Sequence, residues 1–194
     1  MPDIALIAQT VYVLGGVLCL ILVARSPIPA ALFWGIGAAL HAAIALAEFV
    51  VLIGWSGLAG LESDLRYLAF SLGFVCIALG AIFSLVIPPG SRRVTLYTGI
   101  AIAVVIAVAA DRLPIGALPL PLILLGILLL AVLVGLRHRP VPARWLLLGV
   151  LATAAAELAR YRYLGFVPLS PASLSRICFG LALAAFGFTA ARAR

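Results

Sequence analysis

The sequence predicts an all-α fold: a polytopic transmembrane bundle of about seven helices, N-terminus outside and C-terminus cytoplasmic. Three observations lead there. Hydrophobic residues make up 66% of the 194-residue chain and charged residues 10%, with a mean hydropathy of +1.31. Water-soluble domains sit near half apolar and a quarter charged, so this chain has too little polar surface to cover an exterior facing water. Apolar runs recur at the length of about 20 residues that a helix needs to cross roughly 30 Å of hydrocarbon. The arginines, finally, fall mostly on one side of the resulting thread.

The predicted spans are 4–23, 29–53, 67–87, 94–110, 115–136, 145–163 and 171–191. The first lacks the basic start and small-residue cleavage site of a signal peptide and is read as a span. Ser26-Pro27 precedes the second and Ser170-Pro171 the seventh. Each offers a capping hydroxyl ahead of a proline that needs no N–H partner. Pro88-Pro89-Gly90 stops the third span, the fourth is the shortest, and Pro119 and Pro121 stand near the start of the fifth. The longest connection, 54–66, has about a dozen residues, too few to fold separately, so 1–194 is read as one transmembrane domain. Gly35, Ala39 and Ala43 on the second span, and Gly180, Ala184 and Gly187 on the seventh, are spaced for close helix contact.

Charge sets the orientation. Arg25, Arg92, Arg93, Arg137, Arg139, Arg144, Arg192 and Arg194 fall on one side, with no acidic residue. Asp3, Glu62, Asp64 and Asp111 fall on the other, with Arg66, Arg112, Arg160, Arg162 and Arg176. The excess of basic residues marks the cytoplasmic side. The expected location is the cell membrane, multi-pass, with the bilayer as first partner and other membrane subunits or a second copy as further partners. The short arginine clusters suit anionic headgroups rather than nucleic acid.

Ala45-Leu46-Ala47-Glu48 in the second span resembles Ala154-Ala155-Ala156-Glu157 in the sixth. Read as a repeat, this joins two three-helix units through the fourth helix, a plan similar to the SWEET sugar transporters and their PQ-loop relatives. That resemblance implies solute transport by parallel repeats. It is one of architecture: the chain has no Pro-Gln, and its first and sixth spans carry no interior proline.

Few chemistries survive inspection. The chain has no lysine, which excludes a retinal Schiff base. Its two histidines, His41 and His138, lie at different levels and supply neither a bis-histidine haem site nor a multi-histidine zinc site. No HExxH, GxSxG or intramembrane aspartate pair is present. Cys19, Cys76 and Cys178 are isolated in apolar runs and read as small buried hydrophobes. No enzyme activity, metal or cofactor is expected.

Ionisable residues inside a membrane are costly and mark function by default. His41 lies mid-span, and Glu48, seven residues on, shares its face with Trp34 and Ala45. Glu157 has Arg160 three residues along its own helix and is expected to pair with Arg160 or Arg176. Glu48, Glu157, Arg160 and Arg176 thus form one layer near the outer surface with His41 beneath. The favoured reading is a small protein that binds or transports a solute or ion through an outward-facing polar pocket between helices two, six and seven. The alternatives are a non-catalytic subunit of a larger membrane complex and a seven-helix receptor acting through partners.

Overall fold

The computed structural model describes residues 2–28, 30–87, 93–94, 97–102, 120–161, 163 and 167–193. Their regular structure is all helical, with no strand among the described residues. Among the described residues seven α-helices are defined: α1 (Pro2–Ala24), α2 (Ala31–Leu52), α3 (Ala59–Leu68), α4 (Phe74–Leu85), α5 (Leu120–His138), α6 (Pro140–Arg160) and α7 (Pro171–Arg192). They do not match the seven predicted spans one for one, because α3 and α4 are joined by a π turn, Ala69–Gly73, into a single rod. Among the described residues five segments are long and apolar enough to cross a membrane: Ile4–Ala24, Ala31–Leu52, Gly60–Leu85, Pro140–Arg160 and Pro171–Arg192. A shorter apolar helix, Ile123–His138, belongs to α5. Of the predicted fourth span only 94 and 97–102 are described, and these are helical; the rest of it, with Pro88-Pro89-Gly90, Arg92, Asp111, Arg112, Pro119, Arg162 and Arg194, lies outside the described residues.

Helices α1 and α7 pack along most of their length, α7 packs equally on α6, and α2 lies between α1 and the α3–α4 rod. Contact between α1 and α7 is backbone to backbone: a Cβ on Gly15 would overlap the carbonyl of Gly180, and one on Gly187 would lie 2.8 Å from the Cα of Cys19. Membrane helices gain little from burying apolar area against one another, so van der Waals packing of small residues holds such a seam. The expected close-contact face of α2 is displaced. Gly35 meets only a Val23 side-chain atom at 3.6 Å and Ala39 is exposed. Gly37 instead faces the rod, where a Cβ would lie 2.8 Å from the carbonyl oxygen of Gly73. The buried face of α2 is the one carrying Trp34, Ala38, His41 and Ala45, and the small residues beside those bulky groups make the approach.

Three helix boundaries correct the sequence reading. Segment 54–66 is not a loop, because Ser56–Leu58 forms a 3-10 turn and α3 begins at Ala59. Its Glu62–Arg66 pair lies one helical turn apart. The sixth span starts at Pro140, not Trp145, since proline is pre-organised for a first helical position and only Arg139 separates α5 from α6. Ser26 does not cap α2, which opens without a side-chain cap; its hydroxyl donates to the carbonyl of Ala190 at 2.9 Å. Ser170 does cap α7, accepting from the backbone N–H of Ser173 at 3.1 Å. At the same end as Ser26, Arg139 donates to the carbonyls of Ser84 and Ala193 at 3.2 and 3.0 Å, so a residue read for topology also satisfies the open ends of α4 and α7.

Candidate functional site

The polar groups converge at the opposite end, where α2, α3, α6 and α7 meet. Glu48 ends the buried face of α2, and its side chain is 9% exposed. One carboxylate oxygen accepts from Arg66 Nη2 at 2.9 Å and the other from Arg176 Nε at 3.2 Å. Arg66 also bonds Glu62 along α3. Glu48 is therefore held by guanidiniums from two different helices.

A cavity of about 490 Å³ opens beside this pair. Glu48, Arg66, Arg160 and Arg176 supply its charges; Tyr12, Phe70 and Phe179 supply its aromatic wall. The first turn of α7 forms the rim through Ser170, Pro171, Ala172 and Ser175. The Phe70 and Phe179 rings meet edge to face at 5.2 Å, and the guanidinium of Arg160 lies 5.5 Å from the Phe70 centroid. Cation–π attraction holds a cation at that distance while leaving its N–H groups free for other acceptors.

His41 lies beneath the cavity, 1% exposed. Its Nδ1 is hydrogen-bonded to the Tyr12 hydroxyl at 3.1 Å, and Tyr12 lines the cavity, so one phenol connects cavity and histidine. The rings of Phe70, Phe74 and Phe179 pack around the imidazole at 5.7, 5.0 and 6.4 Å. The π turn serves this arrangement. A π turn inserts a residue into a helix, and here it presents Phe70 to the cavity and Phe74 to His41. The imidazole lies directly over Gly73, where a Cβ would meet it in ordinary van der Waals contact at 3.4 Å. His41 Nε2 finds no hydrogen-bond partner among the described residues.

Glu157 has a different setting. Its side chain is 5% exposed, its Oε1 is buried without a hydrogen-bond partner among the described residues, and the nearest guanidinium nitrogen, on Arg160, is 4.0 Å away. Of the two partners expected for Glu157, Arg160 is the one in reach, and Arg176 turns to Glu48. Of the five residues singled out from sequence, Glu48, Arg160 and Arg176 line the cavity, His41 connects to it through Tyr12, and Glu157 stands behind Arg160. The matched carboxylates of the suggested repeat thus occupy unlike environments.

Arg66, Tyr12 and Gln9 were not anticipated. Arg66 sat in a segment read as a loop. Gln9 and Tyr12 lie on one face of α1, where Gln9 Nε2 donates to the carbonyl of Ala45 at 2.7 Å. The available signals were the spacing of Glu62 and Arg66 and the rarity of an amide in a membrane span. Among the described residues, no group of three or more His, Cys, Asp or Glu gathers as for a metal ion. No family model, curated protein or solved structure matches the chain.

Proposed function

We propose that this chain is a multi-pass protein of the cell membrane that binds a small solute in the cavity between α2, α3, α6 and α7, and passes it across the bilayer without enzymatic chemistry. The carrying observation is that arginines from three separate helices and a buried carboxylate converge on one open cavity of about 490 Å³. Ion pairs that only brace helices gain nothing from a cavity, whereas ligand sites of small molecules run from about 300 to 1,000 Å³ with a few polar groups set among aromatic ones. The arginine distribution supports a cavity facing outward, N-terminus outside and C-terminus in the cytoplasm. Fused reporters test that orientation; both termini on the same side would contradict it.

The test of binding fills the site. Ala172 is exposed at the rim, so Ala172→Trp occupies the cavity without entering the core. Purified protein in nanodiscs is screened by thermal shift against anionic, neutral and cationic aromatic solutes, and any stabilising solute is followed into proteoliposomes. The expected result is stabilisation and uptake by the wild type, both lost in a folded Ala172→Trp variant. If no solute acts on the wild type, the chain is a subunit or scaffold instead.

A further inference from the structure

We infer that the ligand of this cavity is an organic anion, a carboxylate or phosphate carried on a flat apolar body, and that it competes with Glu48 for the arginines. This deepens the proposed binding function and rests on it. The lining side chains carry three guanidiniums, on Arg66, Arg160 and Arg176, against one carboxylate, on Glu48. The cavity therefore holds a cationic excess of two charges before its rim is counted. Two carboxylates behind the lining, Glu62 on Arg66 and Glu157 near Arg160, balance the total charge of the cluster, so the cationic excess is confined to the cavity face. Glu62 is bound to Arg66 from along α3, and Glu157 stands 4.0 Å from Arg160 with its Oε1 unbonded.

Arg160 is the first contact. It is 54% exposed, makes no hydrogen bond among the described residues, and lies against the Phe70 ring. A guanidinium in that position receives a planar anion while the aromatic ring beside it receives the body of the same molecule. The first turn of α7 faces the same space, and the positive end of a helix dipole favours an anion there. Deeper in, Arg176 and Arg66 hold an acceptor already, the two oxygens of Glu48. A ligand carboxylate has the same geometry as that side chain, so Glu48 acts as the resident counter-anion that the ligand displaces. Tyr12 and Phe179 form the apolar wall against which the body rests.

Soluble organic acids and acidic lipids share this chemistry. The probe is 2-naphthoate, compared with 2-naphthamide and 2-naphthylmethylammonium, on the full chain in phosphatidylcholine nanodiscs. Naphthoate is expected to bind at least about tenfold more tightly than the amide, and Arg160→Gln to remove about tenfold of that affinity, the size of one charge-assisted contact. Arg160 is surface-accessible, so this variant retains the fold; Ala172→Trp provides an independent block. Adding phosphatidylglycerol separates the sources: competition with naphthoate assigns the site to a lipid headgroup, and none assigns it to a soluble acid. Amide or ammonium binding as tightly as naphthoate would overturn the inference while leaving solute binding in place. Naphthoate binding unchanged in both variants would overturn it too, by placing the anion elsewhere. Failure of all three probes would remove the binding reading with it.

Discussion

Glu48 and Glu157 are two nearly buried carboxylates, each with at least one arginine in reach, and they have little else in common. Glu48 uses both oxygens on guanidiniums from α3 and α7, beside an open cavity. Glu157 has a single arginine, at 4.0 Å along its own helix, and an unbonded Oε1. The difference comes from the partner's helix. Arg160 is three residues from Glu157, and its guanidinium turns toward the Phe70 ring. Arg66 and Arg176 project from neighbouring helices, so their reach is directed at Glu48 by packing. In low-dielectric surroundings a carboxylate is stabilised by such convergent donors, not by the nearest charge in sequence.

Four substitutions sharpen this contrast, each read as thermal stability in detergent and in nanodiscs. Glu48→Gln has the largest expected effect, a loss of about 2–3 kcal/mol, because it removes charge-assisted bonds to two helices at once. A loss equal to that of Glu157→Gln would erase the distinction. Tyr12→Phe is expected to cost about 1–2 kcal/mol, since it leaves His41 Nδ1 buried without its hydroxyl partner. An unchanged melting temperature would mean that this bond contributes nothing. Arg66→Gln comes next at about 0.5–1 kcal/mol, because Arg66 is 47% exposed and Arg176 still holds Glu48. A larger loss would make Arg66, not Arg176, the principal partner. Glu157→Gln is expected to change stability by about 0–1 kcal/mol, for the 54% exposed Arg160 regains water when its distant partner goes. A loss of about 3 kcal/mol or more would reveal a buried pair.

Composition and run length made the helical, membrane-compatible character of the chain legible, because lipid as solvent leaves few other solutions. Local rules reached further at particular points. Ser170-Pro171 opens α7 as expected, and the seven-residue spacing puts Trp34, His41 and Glu48 on one face, buried at the first two and opening at Glu48. What failed was whatever hydropathy screens out or treats as uniform. Glu62, Asp64 and Arg66 are too polar for an apolar window, so hydropathy does not mark α3 or the arginine on it that binds Glu48. Tyr12 reads as one more apolar residue of α1 until α2 is laid beside it, for its role depends on His41, a partner 29 residues away. Alanines and glycines are so common in α2 that spacing favoured Gly35, whereas contact with the rod selects Gly37. The π turn has no local sequence mark; it is explained by what it packs against.

The central claim is that Glu48 is a displaceable counter-anion in a ligand cavity, not a brace. The measurement that separates these roles is the affinity of 2-naphthoate for Glu48→Gln against wild type, taken alongside the melting temperature of each in phosphatidylcholine nanodiscs. Removing the resident carboxylate lowers stability yet frees Arg176 and leaves Arg66 with Glu62 alone. The account therefore predicts an earlier melt together with naphthoate binding tighter by about tenfold, the worth of one recovered charge-assisted contact. Naphthoate affinity that falls with the melting temperature would show that the cluster only holds helices together.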